Sequence, residues 1–151
     1  MFLNFIFAFS FSLEVFPPVI FDLTKEEFPP PYFPYFYETV YKTHFIRIEY
    51  DKGGKDDIRY ISIFIKGKVN SGEPVKISNF LYSIEKQKGE KDFPFLKNLS
   101  ENYNFLTEIE LKEEKGEIII PFYILFKVEE NIPSFNPLPL QINLSFKIYV
   151  K

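Results

Sequence analysis

The chain has 151 residues, a length that suits one compact domain. Hydrophobic residues make up 46% of it and charged residues 26%, which excludes both a disordered chain and an integral membrane bundle. There is no cysteine and one histidine, so disulfides, thiol chemistry and multi-histidine metal sites are excluded, and we predict no catalytic residue, metal or cofactor. A net charge of −3 gives no reason to bind a nucleic-acid backbone.

The first sixteen residues carry the most informative pattern. Large apolar residues alternate with smaller or polar ones, which predicts a β-strand with one apolar face. That face consists of Phe5, Phe7, Phe9, Phe11, Leu13 and Val15. A secretory signal needs basic residues before a continuous apolar run, and a membrane helix needs about twenty apolar residues, so neither fits well. Because such a strand aggregates when exposed, its apolar face must be covered.

Two ways of covering this strand remain open. In the first, Pro17 and Pro18 form a stiff hinge between a donor strand, residues 1–16, and a single domain, residues 17–151. The hinge directs the strand into a groove of a neighbouring copy, where it pairs by β-strand addition. Such a head-to-tail contact does not close on itself and therefore builds a filament. In the second, the strand is the first strand of its own sheet.

The middle of the chain also reads as strands. Residues 28–37 are rich in proline and aromatic residues and contain a pattern that WW domains bind, but an extended segment that covers a sheet edge is the simpler interpretation. His44 falls on the apolar face of its strand, which predicts a packed residue. A slip in the apolar phase after Ile77 predicts a β-bulge near Ser78.

The last third contains the clearest strands. The turn at residues 113–116 predicts a hairpin between residues 107–111 and the strand that follows. In that strand Pro121 cannot donate a hydrogen bond, so it must lie at a bulge or face an unpaired edge. Residues 140–150 alternate without a break, which is typical of a half-buried strand.

Taken together, these segments predict an all-β fold. We expect an Ig-like or jelly-roll-like antiparallel β-sandwich of seven or eight strands with an extended N-terminal strand. Asn98 and Asn143 begin glycosylation sequons and are candidate acceptors for attached glycans, which weakly favours export. The paired acids are more simply solvated turns than metal ligands. An excess of lysine over arginine and of glutamate over aspartate is typical of a thermophile, although a low-GC genome enriches lysine as well.

An alternating Phe-rich strand, a proline hinge and a cysteine-free sandwich resemble the subunits of archaeal and bacterial surface filaments assembled by donor-strand complementation, such as threads and bundling pili. The resemblance implies a structural, non-enzymatic subunit at the cell surface that polymerises with copies of itself and takes no small-molecule substrate. The donor residues would be those of the apolar face defined above.

A second resemblance concerns residues 61–150. The Ile-rich strand, the turn ending in Pro74-Val75 and the run Leu81-Tyr82-Ser83-Ile84 are similar to the water-stress-type late-embryogenesis-abundant β-sandwich. That family implies a soluble protective or lipid-associated module and not a polymer. The second hypothesis is therefore a self-contained soluble or envelope-associated binding or protective module. A viral capsid or tail protein also assembles from copies of one chain, so it stays open as a third alternative.

Overall fold

The computed structural model describes residues 9–70, 75–84, 97–130 and 139–151, and these fold into an antiparallel β-sandwich. The strands are β1 (Ser10–Phe16), β2 (Ile20–Asp22), β3 (Tyr35–Glu38), β4 (His44–Asp51), β5 (Tyr60–Val69), β6 (Phe80–Ile84), β7 (Lys97–Asn98), β8 (Asn104–Glu110), β9 (Lys115–Val128) and β10 (Pro139–Val150). The predicted all-β sandwich is confirmed. The described strands outnumber the seven or eight predicted because β2, β3 and β7 are too short to show an alternating pattern.

The strands divide between two sheets. The first has the order β1-β4-β9-β6-β7, with β3 also paired to β9, and the second has the order β2-β10-β5-β8. The long strand β9 is central, since it pairs with β4 along its first half and with β3 and β6 along its second. This position explains why its sequence is apolar at nearly every residue.

Aromatic rings fill the space between the sheets. The rings of Phe80 and Phe126 stack with centroids 4.8 Å apart, and Phe21 lies 5.4 Å from Phe80. These three residues and Phe122 are fully buried. At about 1.5–3 kcal/mol for each buried large side chain, this aromatic centre is a main source of the fold's stability.

The hairpin predicted at residues 113–116 was wrong. Strand β8 pairs with β5 in the second sheet, whereas β9 lies in the first, so the intervening segment crosses between layers. The crossing is held by backbone bonds from Leu111 N to the Arg59 carbonyl (2.7 Å) and from Lys52 N to the Glu114 carbonyl (2.8 Å). The buried Lys52 Nζ also donates to the Leu111 carbonyl at 2.9 Å. Alternation identified both strands but not the sheet that each joins.

The bulge predicted near Ser78 was wrong as well. A 3-10 turn at Ile77–Asn79 absorbs the phase slip, and β6 begins after it at Phe80. A register shift does occur elsewhere, between Ile63 and Phe64 of β5 where they face β8. On the flank of Pro121 that faces β6, the described pairing ends at Phe122, next to residues outside the described ranges, so the position predicted for Pro121 stays a prediction.

The proline-rich segment ends in β3, which pairs with β9. Tyr37 is buried there, and its hydroxyl donates to the Glu27 carbonyl at 2.7 Å. This segment therefore helps to close the core beside β9. Among the described residues, no helix is long and apolar enough to span a membrane.

Candidate interaction edge

Strand β1 lies at the edge of the first sheet. It pairs with β4 of the same chain in an antiparallel register that runs from Ser10 opposite Asp51 to Phe16 opposite Phe45, and its other flank has no partner among the described residues. Leu13 and Val15 are half-buried against the core. The side chain of Phe11 is 48% exposed. The apolar face of β1 is thus only partly covered by its own domain.

The backbone of β1 offers hydrogen-bonding groups on its free flank. Lys52 directly follows β4 and donates its backbone N–H to the Glu114 carbonyl, so the even-numbered residues of β4 form the backbone hydrogen bonds to β9. Because bonding alternates between the two flanks of a strand, the odd-numbered residues of β4 form the backbone hydrogen bonds to β1. In the β1–β4 register these odd residues face Ser10, Ser12, Glu14 and Phe16. The amides and carbonyls of residues 11, 13 and 15 therefore point away from the sheet, where another strand can pair with them.

Strand β10 presents a second free edge on the same side of the sandwich. Tyr60 and Lys151 exchange two backbone bonds (3.0 and 2.9 Å), so the odd-numbered residues of β10 face β5 and the even-numbered ones face away. The pairing with β2 ends where Ile142 N donates to the Val19 carbonyl at 3.4 Å. Beyond it, residues 144, 146 and 148 have no backbone partner on that flank among the described residues.

A cleft separates the two edges. Its apolar lining consists of Leu13, Val15, Val19, Ile142, Leu144 and Phe146. Val19 and Ile142 are buried at its floor, whereas Leu144 and Phe146 are only half-buried. The sandwich is therefore open along this side, with free backbone groups on both rims and apolar side chains between them. Such a cleft has the chemistry to accept an alternating apolar strand.

The predicted hinge is an elbow between the two layers. Pro17 and Pro18 connect β1 in the first sheet to β2 in the second, and the Phe16–Pro17 peptide is cis. The elbow carbonyl of Pro17 lies 2.7 Å from Nδ1 of the fully buried His44. Since a carbonyl can only accept, Nδ1–H donates and Nε2 accepts from the Thr39 hydroxyl at 2.6 Å.

His44 is held in its neutral form. Burial lowers its pKa, and the hydrogen bond to the Pro17 carbonyl opposes this effect only in part. The sequence prediction that His44 is a packed residue is confirmed. The sequence did not reveal that His44 holds the Pro17 carbonyl, at the point where β1 leaves the rest of the sandwich.

The remaining predicted site residues are distributed over several surfaces. Phe5 and Phe7 lie outside the described residues, and Phe9 packs against the core. Asn98 lies in the short strand β7, and its side-chain amide donates to the Ser78 carbonyl at 2.9 Å. Asn143 projects from the outer face of β10, where its amide donates to the Asn70 side chain at 3.0 Å. Both sequon asparagines are exposed.

Sequence reasoning missed a group of aromatic and lysine side chains on the outer face of the second sheet. Lys147 and Tyr149 belong to the polar face of the alternating strand β10, and Phe64 and Lys66 occupy the matching face of β5. In the sequence these are single aromatic residues at outward-facing positions of separate strands, which are common on protein surfaces, and only the fold brings them together in one patch.

No group of three or more acidic or histidine side chains that could hold a metal ion occurs in the described ranges. The carboxylate of Asp51 accepts from Gly53 N at 2.8 Å and stabilises its own turn. Comparison of the chain with protein-family models and with curated proteins gave no match. The function must therefore be argued from the edges and faces of the sandwich.

Proposed function

We propose that this chain is a structural subunit of an extracellular filament, in which the N-terminal strand of one copy pairs with β4 of the next. The observation that carries the proposal is the position of β1: a sheet-edge strand paired on one flank, with Phe11 48% exposed. An edge strand can leave its sheet without disturbing the strands beneath it. Its place is then free for the same strand of a neighbour.

The energetics favour exchange between identical copies. Half-burying Leu13 and Val15 contributes about 1–3 kcal/mol in total, which a departing strand would lose. A neighbour's β1 restores the same contacts and the same backbone bonds to β4, so the net cost is confined to straightening the elbow and ordering the copies. After each exchange, one end of the assembly has an unpaired N-terminal strand and the other end has a vacant place beside β4. Further copies can therefore be added at both ends.

The cleft beside β1 supports the same proposal. Leu144 and Phe146 lie half-covered next to it, and the free backbone groups of β10 form its second rim. Phe5 and Phe7 continue the alternating apolar pattern of the donor strand. Once β1 has left its place beside β4, an incoming β1 of the same composition would cover the exposed part of the core again and remove an aggregation-prone edge. The exposed asparagines of the two sequons support the extracellular part of the proposal.

A second candidate is a self-contained binding or protective module. It is favoured by the complete seven-residue register between β1 and β4 within one chain. In that case the strand needs no neighbour and the protein is a monomer.

One experiment separates the two candidates. Because the chain has no cysteine, Ser12→Cys with Glu49→Cys places the only two thiols on residues that face each other across β1 and β4. Their Cα atoms, about 5.5 Å apart in a hydrogen-bonded pair, suit a disulfide. If β1 inserts into a neighbour, oxidation links each copy to the next and non-reducing electrophoresis shows a ladder of multimers. If β1 stays in its own sheet, only the monomer band forms.

Two controls make the ladder interpretable. Lys68→Cys with Asn143→Cys joins β5 to β10 within one domain, so it must give a monomer band under either candidate. Ser12→Cys alone provides a single thiol and gives dimers at most. A monomer band from the β1–β4 pair, under conditions where the β5–β10 pair is fully oxidised, would refute the filament proposal and leave the self-contained module.

A further inference from the structure

The outer face of the second sheet carries exposed aromatic rings beside lysines that form no ion pair with the described residues. We call this the aromatic–lysine face, and its residues are Phe64, Lys66, Tyr103, Phe105, Lys147 and Tyr149. The ring of Phe64 lies 5.8 Å from Phe105 and 5.3 Å from Tyr149, both edge to face. Lys66 Nζ lies 4.6 Å above the Tyr103 ring.

These groups are accessible, and no described ion pair neutralises the two lysines. Phe105 is 48% exposed and Tyr149 is 47% exposed, although folding requires neither exposure. No described carboxylate forms an ion pair with Lys66 or Lys147, whereas the nearby Lys151 pairs with Glu108 at 3.0 Å. The hydrogen bond with Tyr149 raises the pKa of Lys147, so that lysine is charged. The face is therefore both apolar and positive.

The outer face of the first sheet has the opposite charge. Arg47 lies there among three carboxylates, with Glu117 at 3.2 Å, Glu14 at 3.5 Å and Glu49 also in contact. One guanidinium against three carboxylates leaves a net negative charge. Half-exposed apolar groups border this cluster, including Phe16, whose ring lies 5.6 Å from that of Phe45. We call this the acidic face.

We propose that the aromatic–lysine face of one copy docks onto the acidic face of a second copy. Each face has unmatched charge of the sign that the other lacks, and each borders that charge with exposed apolar side chains. The two faces lie on opposite sides of the same sandwich. A contact between them leaves one face of each kind free on the pair, so further copies add in the same direction.

The size of the sheet sets the strength of this contact. Four strands about 4.8 Å apart and about seven residues long cover on the order of 400 Å² per copy. Stable interfaces bury about 800 Å² per partner, so this contact is weak, reversible and dependent on charge. It does not require strand exchange, because the docking residues keep their places whether β1 belongs to the same chain or to a neighbour.

Charge reversal on the full chain tests the proposal. Lys66→Glu with Lys147→Glu makes both faces acidic, and Glu49→Lys with Glu117→Lys makes both faces basic. Sedimentation velocity at about 20 mM salt should show concentration-dependent association of the unaltered chain that about 500 mM salt abolishes. Each double variant alone should associate at least tenfold more weakly. An equimolar mixture of the two should associate again, because acidic faces then meet basic ones.

The mixture is the decisive arm, since misfolding of either variant cannot restore association. Polymers formed by strand exchange persist at high salt, so the salt-sensitive fraction reports the face contact alone, whatever the outcome of the disulfide experiment. Wild-type association in both variants, or no recovery in the mixture, would overturn the proposal. The proposal would also be overturned if the chain showed no self-association but bound added poly-glutamate through Lys66 and Lys147. The partner of the aromatic–lysine face would then be an acidic polymer and not a second copy.

Discussion

Between pH 7 and 5.5, lowering the pH should weaken this fold mainly through one side chain, His44. It is the only histidine in the sequence and is fully buried, with one ring nitrogen donating to the Pro17 carbonyl and the other accepting from Thr39. Burial lowers its pKa in the folded chain below the unfolded value of about 6.5. Between these two values the unfolded chain binds the extra proton, so stability is complete above pH 6.5 and falls as the pH drops.

The size of the effect follows from one proton. The free energy of unfolding cannot change by more than about 1.4 kcal/mol per pH unit, and by pH 5.5 the loss is at most about 1.4 kcal/mol. The matched variant is His44→Asn, whose side-chain amide can still donate to the Pro17 carbonyl but does not titrate. It loses the hydrogen bond from Thr39, so we expect it to be about 1–2 kcal/mol less stable at pH 7.

Urea denaturation at several pH values between 7 and 5.5 measures both quantities. The unaltered chain should lose stability over this range, while His44→Asn should stay nearly constant. A flat profile for the unaltered chain, or an equal slope in both proteins, would show that His44 is not held neutral at the elbow. The reasoning about how β1 is anchored would then be wrong.

Two further predictions concern the core. The buried hydroxyl of Tyr82 has no partner among the described residues, so Tyr82→Phe should raise the free energy of unfolding by about 0.5–2 kcal/mol. Tyr37→Phe removes a 2.7 Å hydrogen bond and should instead lower the free energy of unfolding by about 1 kcal/mol. Equal effects in denaturant titrations would contradict this contrast. At Gly67 an added methyl would lie 3.0 Å from Ile77 and 3.2 Å from Leu99. Gly67→Ala should therefore lower the free energy of unfolding by about 1 kcal/mol, and Gly67→Val should lower it more. A higher melting temperature in either variant would refute this crowding argument.

Alternation of apolar residues was enough to identify most strands. Residues 140–150 form β10, and the nearly continuous apolar run after residue 115 forms the central strand β9. These features are local, because side-chain alternation acts within a few residues of the chain.

The candidate sites were only partly visible. The strand at Ser10–Phe16 and the elbow at Pro17 and Pro18 could be predicted, since both are continuous in sequence. The cleft between β1 and β10 could not, because its walls come from strands more than a hundred residues apart. The same holds for the aromatic–lysine face, which brings Lys66 beside Tyr103 and Phe64 beside Tyr149.

Which sheet a strand joins was decided by tertiary structure alone. The turn at residues 113–116 has the composition of a hairpin, yet β8 and β9 lie in different layers. An alternating strand presents one apolar face whichever sheet it joins, so its own residues do not specify the neighbour. Its neighbours are chosen by packing against residues far away in the chain, as where the Arg59 and Leu111 backbones meet at the crossing and where His44 receives the elbow of Pro17.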